Sequence, residues 1–359
     1  MQSAVGLKVP KNLGEKIISL AHKLEIVNKT LFIKSQSDHL LIPLIRQPNE
    51  NELSQLKDIA PQLMLDKNDE VFVEKRPAEE TLDHALKRQL PPNLHSSIPH
   101  SFDIVGDIAV IEIPSALNNN RYKDVIGQAI LRTHKHIKSV HAKAGAINGV
   151  YRIRDLTYIA GENRTQTIYN EYNCKYHVDL AKAYFSPRLS QEHHRIATLV
   201  NGNEVVADLF AGVGPFAVPI GKLCPKTRVY AVDINPDAVE LLKLNVKINH
   251  IENQVYPLLG DARELANSKL RGIADRVIMN LPETAIDFID AACQTLKPAG
   301  GLIHFYGFTR KPDTIDNLKT RLTSAIEQQH RKITAFNFIK NVRETAPYEQ
   351  QIVIDTQIH

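Results

Sequence analysis

From about residue 201 onward the chain repeats one pattern, a short apolar run followed by a stretch with amphipathic helical spacing. The runs are "VVADLF", "RVYAVDI", "VYPLLGD", "DRVIMNL" and "GGLIHFYGF". A strand apolar on both faces needs helices above and below it, and each helical crossover returns the chain to the same sheet. The alternation therefore predicts a doubly wound, mostly parallel sheet, with ligands bound beyond the carboxyl ends of its strands. The tail "KITAFNFIKNVRETAPYEQQIVIDTQI" predicts two further strands around an irregular connection.

Upstream the pattern differs. "GEKIISLAHKLEIV" has helical apolar spacing and leads into the β-like run "HLLIPLIR", which predicts a small α/β domain over residues 1–75. "KRPAEETLDHALKRQLPPNLHSSIPHS" crowds Pro91, Pro92 and Pro99 among polar residues and reads as a helix and a linker, with a boundary near residue 76. "SFDIVGDIAVIEIP" alternates as one half-buried strand does, and a helix over "KDVIGQAILRTHKHI" follows. Residues 76–172 are thus expected to form a second small α/β domain, and 173–359 the large sheet domain.

With 43% hydrophobic and 23% charged residues, the 359-residue chain has the composition of an ordinary globular protein. No apolar run approaches the ~20 residues of a membrane span, and the N-terminus lacks the apolar segment of a secretion signal, so a cytoplasmic chain with no membrane partner is expected. Cys174, Cys224 and Cys293 lie far apart without metal-ligand spacing; no metal site is expected, and they read as small buried hydrophobes. The net charge is only +4, but residues 121–200 carry thirteen Lys/Arg against six acids. Their core, "RYKDVIGQAILRTHKHIKSVHAKAG", adds three histidines and holds Asp124 as its only acid, the mark of a phosphate-facing surface.

The loop "DLFAGVGPFAVPIG" follows the first strand of the large domain. Gly212 and Gly214 let the backbone turn tightly and approach a ligand at the next helix. Ala217 stands where a pyrophosphate-binding loop has glycine or alanine, so glycine spacing alone leaves a nicotinamide-binding domain open. Three acids at three strand ends are more telling: Asp208, Asp233, which can accept both ribose hydroxyls, and Asp261, beside an adenine amino group. That set suits adenosine without phosphates, hence S-adenosyl-L-methionine.

At this point the chain resembles a family, the archaeal and eukaryotic tRNA (guanine(37)-N1)-methyltransferases, which modify the base just 3′ of the anticodon. The residues that carry the likeness are "DLFAGVGPF" (208–216), "VDINP" (232–236), "GDAR" (260–263), "MNLP" (279–282), "YRIRDLTYIAG" (151–161) and "YFSPRLSQEHHRI" (184–196). The first three occur in many methyltransferases; the last three, in this arrangement, are specific. The resemblance spans nearly the whole chain. It implies a Rossmann-like class I methyltransferase domain at the C-terminus, preceded by two smaller α/β RNA-binding domains, in a monomer that grips the anticodon stem-loop and outer corner of tRNA.

Chemistry and resemblance together suggest the roles. Guanine N1 carries a proton at neutral pH and attacks a sulfonium methyl only after losing it, so a general base is needed, and Glu192 is the candidate. The charge that spreads to O6 wants a fixed cation, Arg152 by resemblance with Arg154 as alternate, while Asn280 would position the base. Besides the three acids, the resemblance implies Tyr184, Arg188, His193, Phe210, Gly212, Gly214, Ile234, Ala262, Asn280 and Pro282 at the cofactor, and Lys135, Lys138, Lys143 and Arg154 on RNA. The chain departs from the family at three places. His193 stands where relatives usually have Arg, and Glu283 and Thr284 where many have His-Ser. The missing aromatic residue at 283 argues against methylation of exocyclic amines and against activity on the tricyclic wyosine precursor. Cys293, thirteen residues past Asn280, does not suit carbon-5 chemistry. The alternative reading is an RNA-binding protein whose methyltransferase domain has a different or lost target.

Overall fold

A computed structural model describes residues 2–75 and 80–359, and the side chains of all of these except 67–69 and 146–148. The chain forms two compact units that meet in sequence between Thr81 and Leu82. In the first, strands β1 (Gln2–Pro10), β2 (Lys34–Ser35), β3 (His39–Leu44) and β4 (Met64–Phe72) make an antiparallel sheet of order β2-β3-β1-β4. Helices α1 (Gly14–Lys23) and α2 (Glu50–Ile59) share its core, in which Leu7, Ile17, Ile42 and Leu56 are fully buried. Asn49 and Glu52 form a reciprocal capping box at the start of α2, worth about 1 kcal/mol to that helix. Residues 76–79, on which part of the expected linker falls, lie outside the described residues.

The second unit holds two further sheets and a hairpin. After α3 (Leu82–Lys87), strands β5 (Phe102–Val105), β6 (Ile108–Ile111), β7 (Ser139–Asn148) and β8 (Ile153–Gly161) lie in the order β5-β6-β7-β8, with α4 (Asn120–Thr133) as the crossover between parallel β6 and β7. The single strand expected over 101–114 is in fact a hairpin. Gly106, at φ +58°, and Asp107 form a two-residue turn that reverses the chain, and the Asp107 carboxylate takes hydrogen bonds from Arg164 and Thr167. Alternation across 101–114 does not reveal this reversal, and β6 is buried on both faces.

The hairpin β9 (Gln166–Glu171) and β10 (Cys174–Asp179) leads through α5 (Ser190–Leu199) into the large sheet. That sheet contains β11 (Val205–Asp208), β12 (Arg228–Asp233), β13 (Val255–Leu259), β14 (Arg276–Met279), β15 (Gly301–Arg310), β16 (Ile333–Ala346) and β17 (Glu349–Ile358), in the order β13-β12-β11-β14-β15-β17-β16. Its first five strands are parallel and β17 runs antiparallel to both its neighbours. Helices α6 (Ala217–Leu223), α7 (Pro236–Ile248), α8 (Ala262–Asn267), α9 (Ile289–Thr295) and α10 (Ile315–Glu327) connect the strands. The strand order reverses at β11, between β12 and β14, where an open sheet leaves a crevice. Asn245 in α7 hydrogen-bonds both the N–H and the carbonyl of His177, and Asn249, just after the helix, does the same for Lys175. Two helical-spaced amides thus cover one edge of β10.

Candidate functional site

The crevice is a cavity of about 190 Å³ beyond the ends of β11, β12, β13 and β14. Gly212, at φ +54°, forms part of its wall, and a side chain there would meet nothing nearer than the Tyr184 carbonyl at 3.7 Å. The bare backbone is therefore open to a ligand. Gly214, at φ +94°, serves packing instead, because a Cβ would come within 2.4 Å of Leu242.

Asp233 borders the cavity and is held from behind. Its Oδ2 accepts the Gly212 N–H at 2.7 Å and its Oδ1 the Asn235 N–H at 2.8 Å, which leaves the remaining lone pairs for hydroxyl donors. Burial raises its pKa above the usual carboxylate value, against those backbone hydrogen bonds. Asp261 caps α8 through the N–H groups of Arg263 and Glu264 and also faces the cavity. Tyr184, Phe210, Ile234, Ala262, Asn280 and Pro282 border it too.

His193 is 1% exposed; its Nδ1 lies 2.7 Å from Glu171 Oε1, its ring stands edge-on to Phe216, and its Nε2 has no partner in the protein.

Other expected residues lie elsewhere. Asp208 is wholly buried beneath the loop and is not part of the cavity wall. Its Oδ2 has no partner, and burial, with the nearby Asp233 charge adding to it, pushes the pKa up to about 7. Arg188 is drawn away from the cavity by Asp103, which accepts from its Nε at 2.6 Å. Glu192 sits in the first turn of α5, buried behind the wall, where its Oε2 accepts from Arg195 Nε at 2.9 Å and from the Tyr306 hydroxyl at 3.1 Å. Burial keeps the Tyr306 phenol protonated far above its ordinary pKa, so it remains a donor.

A second cavity, of about 280 Å³, adjoins the first and shares Arg152, Tyr184, Phe185, Ser186, Phe308 and Arg343 with it. Arg152, in a left-handed turn at φ +56°, donates to Glu283 Oε2 at 2.6 Å. Lys143, Arg154 and Arg188 line this cavity, with Lys143 3.7 Å from Asp103 and 3.6 Å from Glu112. Lys135 and Lys138 are exposed at the end of α4 and before β7. Sequence reasoning missed Arg343, Gln351 and Glu171. None belongs to a recognisable motif, and each reaches the site from a distant strand.

A family model described as the TRM5/TYW2 methyltransferase domain matches residues 167–334. A TYW2 N-terminal domain matches 82–165, and a tRNA methyltransferase 5 N-terminal domain matches 6–52. The tRNA (guanine(37)-N(1))-methyltransferase Trm5b of Pyrococcus abyssi is 36% identical to this chain over 99% of both. The chain belongs to the TRM5/TYW2 methyltransferase family. Another relative, the tRNA 4-demethylwyosine(37)-methyltransferase Taw21 of Saccharolobus solfataricus, is 34% identical over 70% of this chain and 92% of its own. A solved structure described as the complex of aTrm5 and tRNALeu matches with a TM-score of 0.73 at 32% identity, covering 99% of this chain and 100% of that one.

As a TRM5/TYW2 methyltransferase, the protein draws its methyl group from S-adenosylmethionine. The first cavity fits that cofactor in character: the Asp233 and Asp261 carboxylates stand in a wall otherwise formed by Phe210, Ile234, Ala262 and Phe288. The α/β fold expected of TRM5/TYW2 enzymes, with a mixed and mostly parallel sheet, is the one observed.

Proposed function

We propose that this enzyme methylates N1 of the guanine 3′ of the tRNA anticodon, with the target base entering through the second cavity. One observation carries the reading: Arg152 stands in the wall common to both cavities, where a guanidinium can meet the O6 of a base whose N1 points at the cofactor. S-adenosylmethionine supplies an electrophilic methyl on a sulfonium, so the protein need only align and deprotonate the base. Arg152 stabilises the charge that develops on O6 as N1 loses its proton, and Asn280 orients the ring. Glu192 is the proton acceptor. To serve, its carboxylate turns from Arg195 and Tyr306 toward the cavity, whose wall its neighbours Leu189 and His193 help to form. The target lies in a single-stranded loop, so exposing it costs little.

A second substrate, the tricyclic 4-demethylwyosine at the same tRNA position, is raised by the likeness to the Saccharolobus enzyme, against the expectation drawn from the missing aromatic residue at 283. Methyl transfer to three tRNAs, carrying guanine, adenine or 4-demethylwyosine 3′ of the anticodon, tests both. The guanine tRNA is expected to yield 1-methylguanosine and the adenine tRNA nothing. Equal methylation of these two would overturn the proposal.

A further inference from the structure

Arg343 and Gln351 face each other across the antiparallel strands β16 and β17, and the reaction proposed above gives neither a task. Arg343 can only donate. Its Nε–H donates to Gln351 Oε1 at 2.8 Å, which settles which end of the Gln351 amide is the oxygen. The amide nitrogen is thereby turned toward the cofactor cavity, and Gln351 Nε2 donates to Asn280 Oδ1 at 3.4 Å. Asn280 has its oxygen engaged and its Nδ2 amino group left for the cavity it borders. The far end of Arg343 is held by the Ser186 hydroxyl at 3.0 Å and by Tyr184 Oη at 3.4 Å. Gln351 is 1% exposed, so water offers it no alternative partner.

We propose that Arg343 and Gln351 are positioning residues that fix the polarity of Asn280, so that the target base meets a hydrogen-bond donor there and not an acceptor. An asparagine amide unconstrained at one end can turn over and present either its oxygen or its nitrogen. A ring carbonyl such as guanine O6 needs a donor; an exocyclic amine needs an acceptor, and two donors face to face leave both unsatisfied in a dry pocket. The strands β16 and β17 thus transmit the donor-only character of one arginine, through two amides, to the choice between a carbonyl and an amine. This rests on guanine being the target, and it places part of the discrimination in residues that never touch the base.

Single-turnover methyl transfer to a guanine-bearing tRNA transcript by Gln351→Glu and Gln351→Ala tests the proposal. Gln351→Glu keeps the size and still pairs with Arg343, but sets an oxygen against Asn280 Oδ1. The Asn280 amide then turns over and shows its oxygen to guanine O6. Gln351→Ala leaves Asn280 free to choose. The Glu variant is therefore expected to transfer about tenfold to a hundredfold more slowly than the Ala variant, with equal S-adenosylmethionine affinity by titration. In an Asn280→Ala background the two should transfer at the same rate. A residue that only fills space would make Ala the slower variant. That ordering, or a Glu penalty that persists without Asn280, overturns the proposal. The parent enzyme's product nucleoside separates the two readings: if it is not 1-methylguanosine, the assigned target fails, whatever the order of the variants.

Discussion

Nη1 of Arg152 and Oε2 of Glu283 stand 2.6 Å apart, which joins the turn before β8 to the loop after β14. The guanidinium proposed to receive O6 already holds a carboxylate, whose pKa it draws below the usual range. Glu283 is half exposed, so the pair contributes at most about 1 kcal/mol to stability. That share is present above the ordinary glutamate pKa and is lost as the pH falls through the depressed one.

Glu283→Ser is expected to free Arg152 and raise kcat/KM for tRNA by about two- to fivefold, the equivalent of less than 1 kcal/mol. Steady-state kinetics with a guanine transcript would decide. A loss of tenfold or more would mean that Glu283, rather than Glu192, takes the N1 proton.

Glu192→Gln retains a hydrogen-bonding group of the same shape beside Arg195 and Tyr306 but cannot accept a proton. Single-turnover transfer is expected to slow by about 10²- to 10⁴-fold with tRNA and cofactor affinities unchanged. Arg152→Ala should slow the same step, and the double variant should show less than the sum of the two effects. Full activity of Glu192→Gln would remove it from the chemistry.

Asp233→Ala takes away an acceptor that burial has placed at the cavity wall and releases the Gly212 N–H that it orders. Binding of S-adenosylmethionine is expected to weaken about tenfold or more. Titration that found parent-like affinity would mean that the ribose lies elsewhere.

Burial raises the Asp208 pKa to about 7, so its carboxyl is protonated in the folded chain at mildly acid pH. A folded-state pKa above the unfolded value means that the native chain binds the extra proton, so stability declines as pH rises from about 4 to 7, by up to about 4 kcal/mol. Asp208→Asn has no proton to lose. The variant is expected to melt above the parent at pH 8 and to match it near pH 4. A constant difference in melting temperature across that range would show that Asp208 does not titrate there.

Lys135→Ala with Lys138→Ala should lower tRNA affinity and flatten the plot of log affinity against log salt by about one to two units, since a phosphate that no lysine neutralises keeps its counterions condensed. Cofactor affinity should not change. An unaltered slope would mean that these exposed lysines face only solvent.

The parts of this protein that show in the sequence are those that local chemistry dictates. The strand-loop-helix containing Gly212 could be read from its glycines, and Asp233 and Asp261 from their places at the ends of apolar runs, because an open parallel sheet puts such residues at its crevice. The turn at Gly106 is missed by alternation, which is blind to a reversal that keeps the same apolar spacing; its signal is the Gly106-Asp107 pair between two apolar runs. The positions of Arg188 and Glu192 could not be read. A motif reports which residue types stand near one another, but not that Asp103 draws one side chain aside and Arg195 the other. Arg343 and Gln351 carry no motif at all; strand pairing brings them opposite each other and beside Asn280.

The two asparagines over β10 impose a rule on length. One helical turn advances about 6 Å over four residues, close to the advance of two residues along a strand, which is why positions 245 and 249 can match 177 and 175. One residue inserted into α7 between them would swing the second amide about 100° around the helix axis, and no shift of the strand could recover it. Loops elsewhere in this chain can lengthen by drift, but this stretch of helix is a ruler, and insertions or deletions within it should be absent from any functional descendant.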